Sequence, residues 1–243
     1  MNTATLRPRP AKDPTVFYGD LADTLTARRE ALTRARHATT GERPLTWAEL
    51  TEWLRFQCWY RKEETDFIES WLAQLDGPAL SIALQRRIAE SSRHYRRLIA
   101  HLNTLGSSMD DWSPEPEWSN WVSEFYASGP DTLERVIAHH LAGDPNALTL
   151  PGGVIPKAHQ GTQPMLEQLN GDGQLHDTVG RVAVAGHATT LERQAQIHAR
   201  VMRTFELEQK SRLALLRRIR ALREGAAAND ALADSLTANG DRR

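Results

Sequence analysis

Cysteine, lysine and glycine-rich motifs are scarce in this chain, and each scarcity removes a class of chemistry. Cys58 is the only cysteine among 243 residues, which excludes an internal disulfide and any cysteine-based zinc or iron–sulfur centre. Lysine occurs only at Lys12, Lys62, Lys157 and Lys210, so arginine dominates the basic residues. The 15 glycines never assemble into a Walker loop or a dinucleotide fingerprint, and neither a nucleophile elbow nor a His-Glu-x-x-His pair occurs. No run of 18 apolar residues exists, so no membrane-spanning helix is expected. The polar, proline-containing stretch Met1–Pro14 has no apolar h-region, which makes a cytoplasmic location the expectation. With 30 basic against 31 acidic residues, bulk charge does not favour a polyanion, and nucleic acid is not expected as a partner. Sustained strand alternation is missing as well, which leaves an all-α chain.

Helical periodicity fills most of what remains. Residues 1–14 read as a disordered arm, 15–224 as one helical-bundle domain and 225–243 as a flexible tail. Phe17, Leu21, Leu25 and Leu32 give a first helix from Val16 to about Arg36. Thr46 and Glu49 form a capping box that opens a second helix, stopped at Gly77-Pro78, where a third begins. Gly106 is positioned as the left-handed residue that ends the third. Trp118, Trp121, Val122 and Phe125 share helical spacing, and Asp131 with Glu134 caps a short helix to about Leu141. Residues 143–175 read as a long loop, with a helical turn or two near 163–169, of the kind that covers a pocket. From His176 to about Arg223 the pattern predicts one long last helix, with Ala183, Ala185, Gly186 and Ala188 permitting close approach. The expectation is therefore an antiparallel four-helix bundle with an extra N-terminal helix.

Chemistry concentrates on the second and third helices. The first seam reads Leu50, Leu54, Gln57, Arg61, Glu64, Ile68, Trp71, Leu75. The other reads Leu80, Leu84, Ile88, Ser91, Tyr95, Leu98, Leu102, Leu105, with Glu90 and His94 on its shoulder. A carboxylate facing a core must be paired, protonated or bound to a cation. Glu64 lies 13 residues before Gly77 and Glu90 lies 13 after it, so in an antiparallel pair they fall at the same height, with His94 one turn above. Such a group is how iron or manganese is held between helices. The plainer alternative is that Glu64 pairs with Arg61, and Glu90 with Arg86, Arg87 or His94.

The run Arg87-Ile88-Ala89-Glu90-Ser91-Ser92-Arg93-His94-Tyr95, after a glutamate-bearing helix, resembles the second helix of ferritin-like carboxylate-bridged di-iron proteins. The resemblance covers about residues 46–106. It implies a ferritin-like bundle in which Glu64 and His94 are iron ligands and the protein is an oxidase or oxygenase of a small organic substrate. Ser91 stands where that motif has its glutamate, and Ala195 stands three before His198, the candidate in the last helix. Glu90 and His94, with Gly106 twelve residues on, also resemble heme-oxygenase-like bundles. Their last-helix histidine–carboxylate triplet is not matched here, since His187 is followed by Leu191 and Gln194. The ligand set implied is Glu64, Glu90 and His94, with Glu134 and with His187 or His198 added; Trp53, Tyr60, Phe67 and Trp71 would wall the substrate pocket.

Other features have plainer expectations. Cys58 reads as a buried structural thiol. His139 and His140 sit near a helix C-terminus, where the dipole favours a protonated imidazole. His187, Leu191, Ala195, His198, Met202 and Phe205 fall on one stripe, which predicts that both histidines face the core. Lys210, Arg212, Arg217, Arg218, Arg220 and Arg223 form a basic run, either a solvated face or a surface for an acidic partner. A metal-free bundle binding a small molecule or a partner chain is the competing function, and a homodimer through the last helix is a further expectation.

Overall fold

The structure, a computed structural model, describes residues 10–40, 43–127, 131–143, 153–154, 161–170 and 174–240. The elements among the described residues are helical, as expected, apart from one minimal ladder: α1 (Pro14–Thr40), α2 (Trp47–Leu72), α3 (Pro78–Thr104), α4 (Pro116–Val122), α5 (Thr132–Ala142), α6 (Thr162–Asn170), α7 (Gln174–His187) and α8 (Leu191–Gly240). A parallel ladder of two residues per strand joins β1 (Arg43–Pro44) to β2 (Gly153–Val154). No helix among the described residues is long and apolar enough to cross a membrane. Residues 1–9 of the expected arm, most of the expected lid and residues 241–243 lie outside the described residues.

The helix boundaries follow local chemistry. At the start of α2 the Thr46 hydroxyl accepts from Glu49 N at 3.2 Å while the Glu49 carboxylate accepts from Thr46 N at 2.8 Å. This is the reciprocal capping box. Gly77, at φ 120°, makes the turn that Pro78 converts into the first position of α3. Gly106, at φ 71°, closes α3: Ser107 N reaches Leu102 O and Gly106 N reaches Asn103 O, the Schellman pattern. Trp47 Nε1 donates to Leu105 O at 3.0 Å, so the start of α2 lies beside the end of α3 and the two run antiparallel.

Packing links α2 to α3, α3 to α7, α7 to α5, α5 to α8 and α8 back to α2, with α1 laid against α7 and α5. Arg29 of α1 donates to the carbonyls of Leu141, Ala142 and Gly143. Its guanidinium thereby satisfies the last carbonyls of α5. Gly180 of α7 is the close-approach position, since a Cβ there would lie 3.2 Å from the Tyr18 ring. Gly186, expected to serve that purpose, has nothing within 4 Å, and Ala185 is exposed.

The expected single last helix is two. The chain breaks at Ala188–Thr190, where the Thr190 hydroxyl accepts from Arg193 N and the Gln194 side-chain amide donates to Ala188 O and Lys12 O. The buried face of α8 is also one residue away from the expected stripe. Gln194, Ile197, Val201, Thr204, Glu208, Ser211, Leu215 and Ile219 are buried, whereas of the expected stripe Leu191, Ala195 and His198 are exposed, His187 and Met202 are half-buried and Phe205 alone is buried. Polar residues lie within the true seam, so apolar spacing alone selects the wrong face. The backbone of α8 runs to Gly240, past Arg223, where the expected helix stops.

Candidate functional site

Glu64 is fully buried on α2 and faces α3 and α5. Its Oε2 accepts from Arg61 Nη1 at 2.7 Å and from Ser91 Oγ at 2.6 Å. Its Oε1 accepts from Arg87 Nη2 at 2.5 Å and Nε at 3.1 Å, and lies 3.1 Å from His139 Nε2. Arg87 Nη1 also donates to Glu90 Oε1 at 2.5 Å. The counting from Gly77 thus places Glu64 and Glu90 at one level, and the guanidinium of Arg87 lies between them. Two guanidinium groups and two carboxylates balance in charge, as burial requires.

The network continues through α5. A carboxylate only accepts, so His139 Nε2 carries the ring proton and donates to Glu64. His139 Nδ1 is then the acceptor for the Tyr126 hydroxyl, 3.1 Å away. Tyr126 belongs to a π turn (Ser123–Ala127) that follows α4, and its carbonyl accepts from Trp71 Nε1 at 3.1 Å. The wider turn presents both a backbone acceptor and the phenol of one residue to the core.

Burial alone would push the Glu64 carboxyl up. The charges of Arg87 and Arg61 and the His139 bond together outweigh it and hold Glu64 well below the ordinary range. Burial would lower Arg87, but Glu64 and Glu90 outweigh it and raise it. His139 is lowered by burial, more than its bond to Glu64 lifts it. His140 is lowered well below the ordinary value, by burial and then by His139. Both histidines are therefore neutral core groups. Their place near the end of α5 does not make them dipole-bound cations, because nearly the whole circumference of that helix is buried. Burial also pushes the Cys58 thiol up to about 12, in keeping with an inert buried thiol.

The expected pocket residues are all in the core. Tyr60 stacks on Trp121 with centroids 5.3 Å apart, Phe67 stacks on Tyr126 at 3.9 Å, and Trp53 and Trp71 are buried. His94 is buried on α3. Among the described residues, Glu64, Glu90 and His94 do not form a set of three mutually close ligand atoms, because Arg87 separates the two carboxylates. His198 faces outward on α8 and joins none of the others.

Glu134 and His187 do come together, with Asp131 as a third group. One ligand atom from each lies within 4.8 Å of the others. Asp131 is the N-cap of α5, its Oδ1 accepting from Leu133 N and Glu134 N. Its Oδ2 lies 3.3 Å from His187 Nε2 and 3.0 Å from Arg193 Nη1. Glu134 is not a reciprocal capping partner of Asp131; its carboxylate is held by Arg193 at 3.4 Å and Arg200 at 3.2 Å.

The basic run of α8 is mostly engaged within the molecule. Arg217 pairs with Glu117, Arg218 with Glu115 and Glu52, Arg223 with Glu49, and Arg212 with Glu208. Arg218 also lies over the rings of Trp112 and Trp118.

Sequence reasoning missed Arg87 as the central group, and missed His139, Tyr126 and Asp131. The available signal for His139 was the composition of α5, whose Val136, Ile137, Ala138 and Leu141 leave no polar face. Compared with family models, curated proteins and solved structures, the chain matches none.

Proposed function

We propose that this protein is a helical scaffold whose Glu64 core holds no metal and that acts by binding a partner chain through its outer surface. One observation carries the reading: both oxygens of Glu64 are taken by Arg61, Arg87, Ser91 and His139. An oxidase of the ferritin-like type needs a cation beside that carboxylate and a vacant position on it. Arg61 and Arg87 supply instead the two positive charges that a divalent ion would bring to Glu64 and Glu90. The chain then reads as a degenerate relative of ferritin-like bundles, with α2, α3, α5 and α8 as its antiparallel core and a cytoplasmic location. The partner is acidic, because the outer face of α3 exposes Arg86, Arg93 and Arg96 while the one acidic residue of that helix, Glu90, is buried.

Two measurements test this. After reconstitution with iron or manganese, elemental analysis should give the same content for wild type, Glu64→Gln and His94→Ala. Stoichiometric metal that is lost in either variant overturns the metal-free core. Poly-glutamate, used as an acidic probe, should bind wild type in a salt-sensitive way and bind the Arg86→Glu/Arg93→Glu/Arg96→Glu variant far less. Equal binding by the two proteins removes α3 as the partner face.

A further inference from the structure

We infer that Asp131, Glu134 and His187 form a second, peripheral site for a divalent transition metal of the zinc class, with Arg193 as the internal cation that the metal displaces. The site is remote in role from the Arg87 network, and nothing in its geometry depends on the metal-free reading of that core. Three donors of the right chemistry converge: an aspartate oxygen, a glutamate oxygen and an imidazole nitrogen, all within 4.8 Å of one another. Zinc bound at about 2.0–2.2 Å to each requires donor atoms roughly 3–3.5 Å apart. The Asp131 Oδ2–His187 Nε2 separation of 3.3 Å already meets this, and Glu134 closes the rest by a side-chain adjustment.

His187 supplies the second, independent observation. Its Nε2 is shut off from solvent and makes no hydrogen bond among the described residues, although it faces two carboxylates. It lies 3.3 Å from Asp131 Oδ2 without the alignment of a hydrogen bond, and an imidazole nitrogen so placed can give its lone pair to a metal ion. The two carboxylates are meanwhile bridged by Arg193, whose Nη1 reaches both Asp131 Oδ2 and Glu134 Oε1. That side chain is 44% exposed, so it swings into water at the small cost of surface ion pairs. Arg200 stays on Glu134 Oε2 and orients that carboxylate from its far side, as outer-sphere partners do.

The elements involved say what the ion would do. Asp131 caps α5 and Glu134 belongs to its first turn, His187 to the last turn of α7, and Arg193 to the first turn of α8. Metal would join α5 directly to α7 and release Arg193, one of the two arginines that tie α5 to α8. The α7–α8 junction thereby becomes responsive to metal.

Zinc chloride titrated into the full chain by calorimetry tests the proposal. Wild type is expected to take one equivalent and to melt at a higher temperature with zinc. His187→Ala should weaken binding at least about tenfold, comparable with the loss of a supporting ligand contact. Arg193→Ala should tighten binding, by about fivefold for the loss of a competing surface ion pair. Glu64→Gln should leave zinc binding unchanged, which separates this site from the interior network. His187→Gln serves as a second variant, and the metal-free melting temperatures of both His187 variants establish that they fold. Absence of stoichiometric binding, undiminished binding in His187→Ala, or weaker binding in Arg193→Ala would each overturn the inference.

Discussion

Truncating Glu64 to alanine isolates the cost of leaving the buried guanidinium groups without their shared carboxylate. Arg61 and Arg87 are 5% and 1% exposed, so water does not replace the missing partner. Arg87 keeps Glu90, but the balance of two positive and two negative charges is lost. Breaking a buried pair by removing one partner costs about 3–5 kcal/mol. That is a large share of the roughly 5–15 kcal/mol that a folded domain has in total. Removing the charges together should be milder. In Arg61→Leu/Glu64→Leu/Arg87→Met/Glu90→Leu no charge of this quartet remains; Ser91 and His139 lose Glu64 in both variants, at about 1–3 kcal/mol each, so the uncompensated guanidinium charge is the extra cost of Glu64→Ala. Urea unfolding, followed by tryptophan fluorescence and far-ultraviolet circular dichroism, gives both values. The expected order is wild type, then the fourfold variant, then Glu64→Ala as the least stable. A Glu64→Ala loss below about 1 kcal/mol would refute the reasoning, since surface pairs behave that way. So would a fourfold variant less stable than the single one.

Acid should act on this fold in two windows. His139 and His140 have folded pKa values below the unfolded one, so they favour folding above about pH 6.5 and that contribution is lost as pH falls through their folded values. Glu64 is likewise depressed, so its contribution is full above about pH 4.5 and disappears only in strong acid. His140→Gln should flatten the first window in a pH series of urea midpoints; an unchanged slope would show that His140 is not buried neutral. Gly186→Ala should raise the melting temperature, because alanine gains up to about 1 kcal/mol in a helix and nothing lies near its Cβ. Gly180→Ala should gain less than Gly186→Ala, because the same helical gain is offset by the push of its Cβ on the Tyr18 ring, 3.2 Å away. Cys58 should resist thiol reagents in native protein and react only on unfolding, since its thiol is buried and pushed up to about 12; prompt labelling of native protein would contradict that burial.

The parts of the fold that local signals specify were legible before the structure was known. Thr46 and Glu49, Gly77-Pro78 and Gly106 mark the ends of α2 and α3, because capping and left-handed turns depend on neighbours in sequence. The shared height of Glu64 and Glu90 followed from helical rise alone. What lay between them did not, because Arg87 has the same spacing from Glu90 whether it faces water or the core. The buried stripe of α3 includes Arg87, Glu90 and His94, whereas Ile88 and Tyr95 are half-buried, so charge compensation overrode the apolar pattern. The same effect misled the reading of α8, whose seam contains Gln194, Thr204, Glu208 and Ser211. The π turn at Ser123–Ala127 left no periodic mark at all. His187 and Glu134 were identified individually, but Asp131 was assigned only to capping. Its second oxygen was open to another role.

The clasp made by Arg217, Arg218 and Arg223 bears on the order in which this protein acquires its shape. Arg223 meets Glu49 across 174 positions of sequence, and Arg218 bridges to Glu115, 103 positions away. Contacts so distant along the polymer form late and slowly, because loop closure must precede them. The hairpin of α2 and α3 can zip from its own turn and close at Trp47–Leu105, whereas the Glu49 and Glu52 carboxylates lack their arginine partners until the distal half of α8 has been synthesised. A ribosome-bound chain would therefore display Glu49, Glu52, Trp112 and Trp118 without their arginine cover for much of its synthesis, a period in which chaperones have their best access to them.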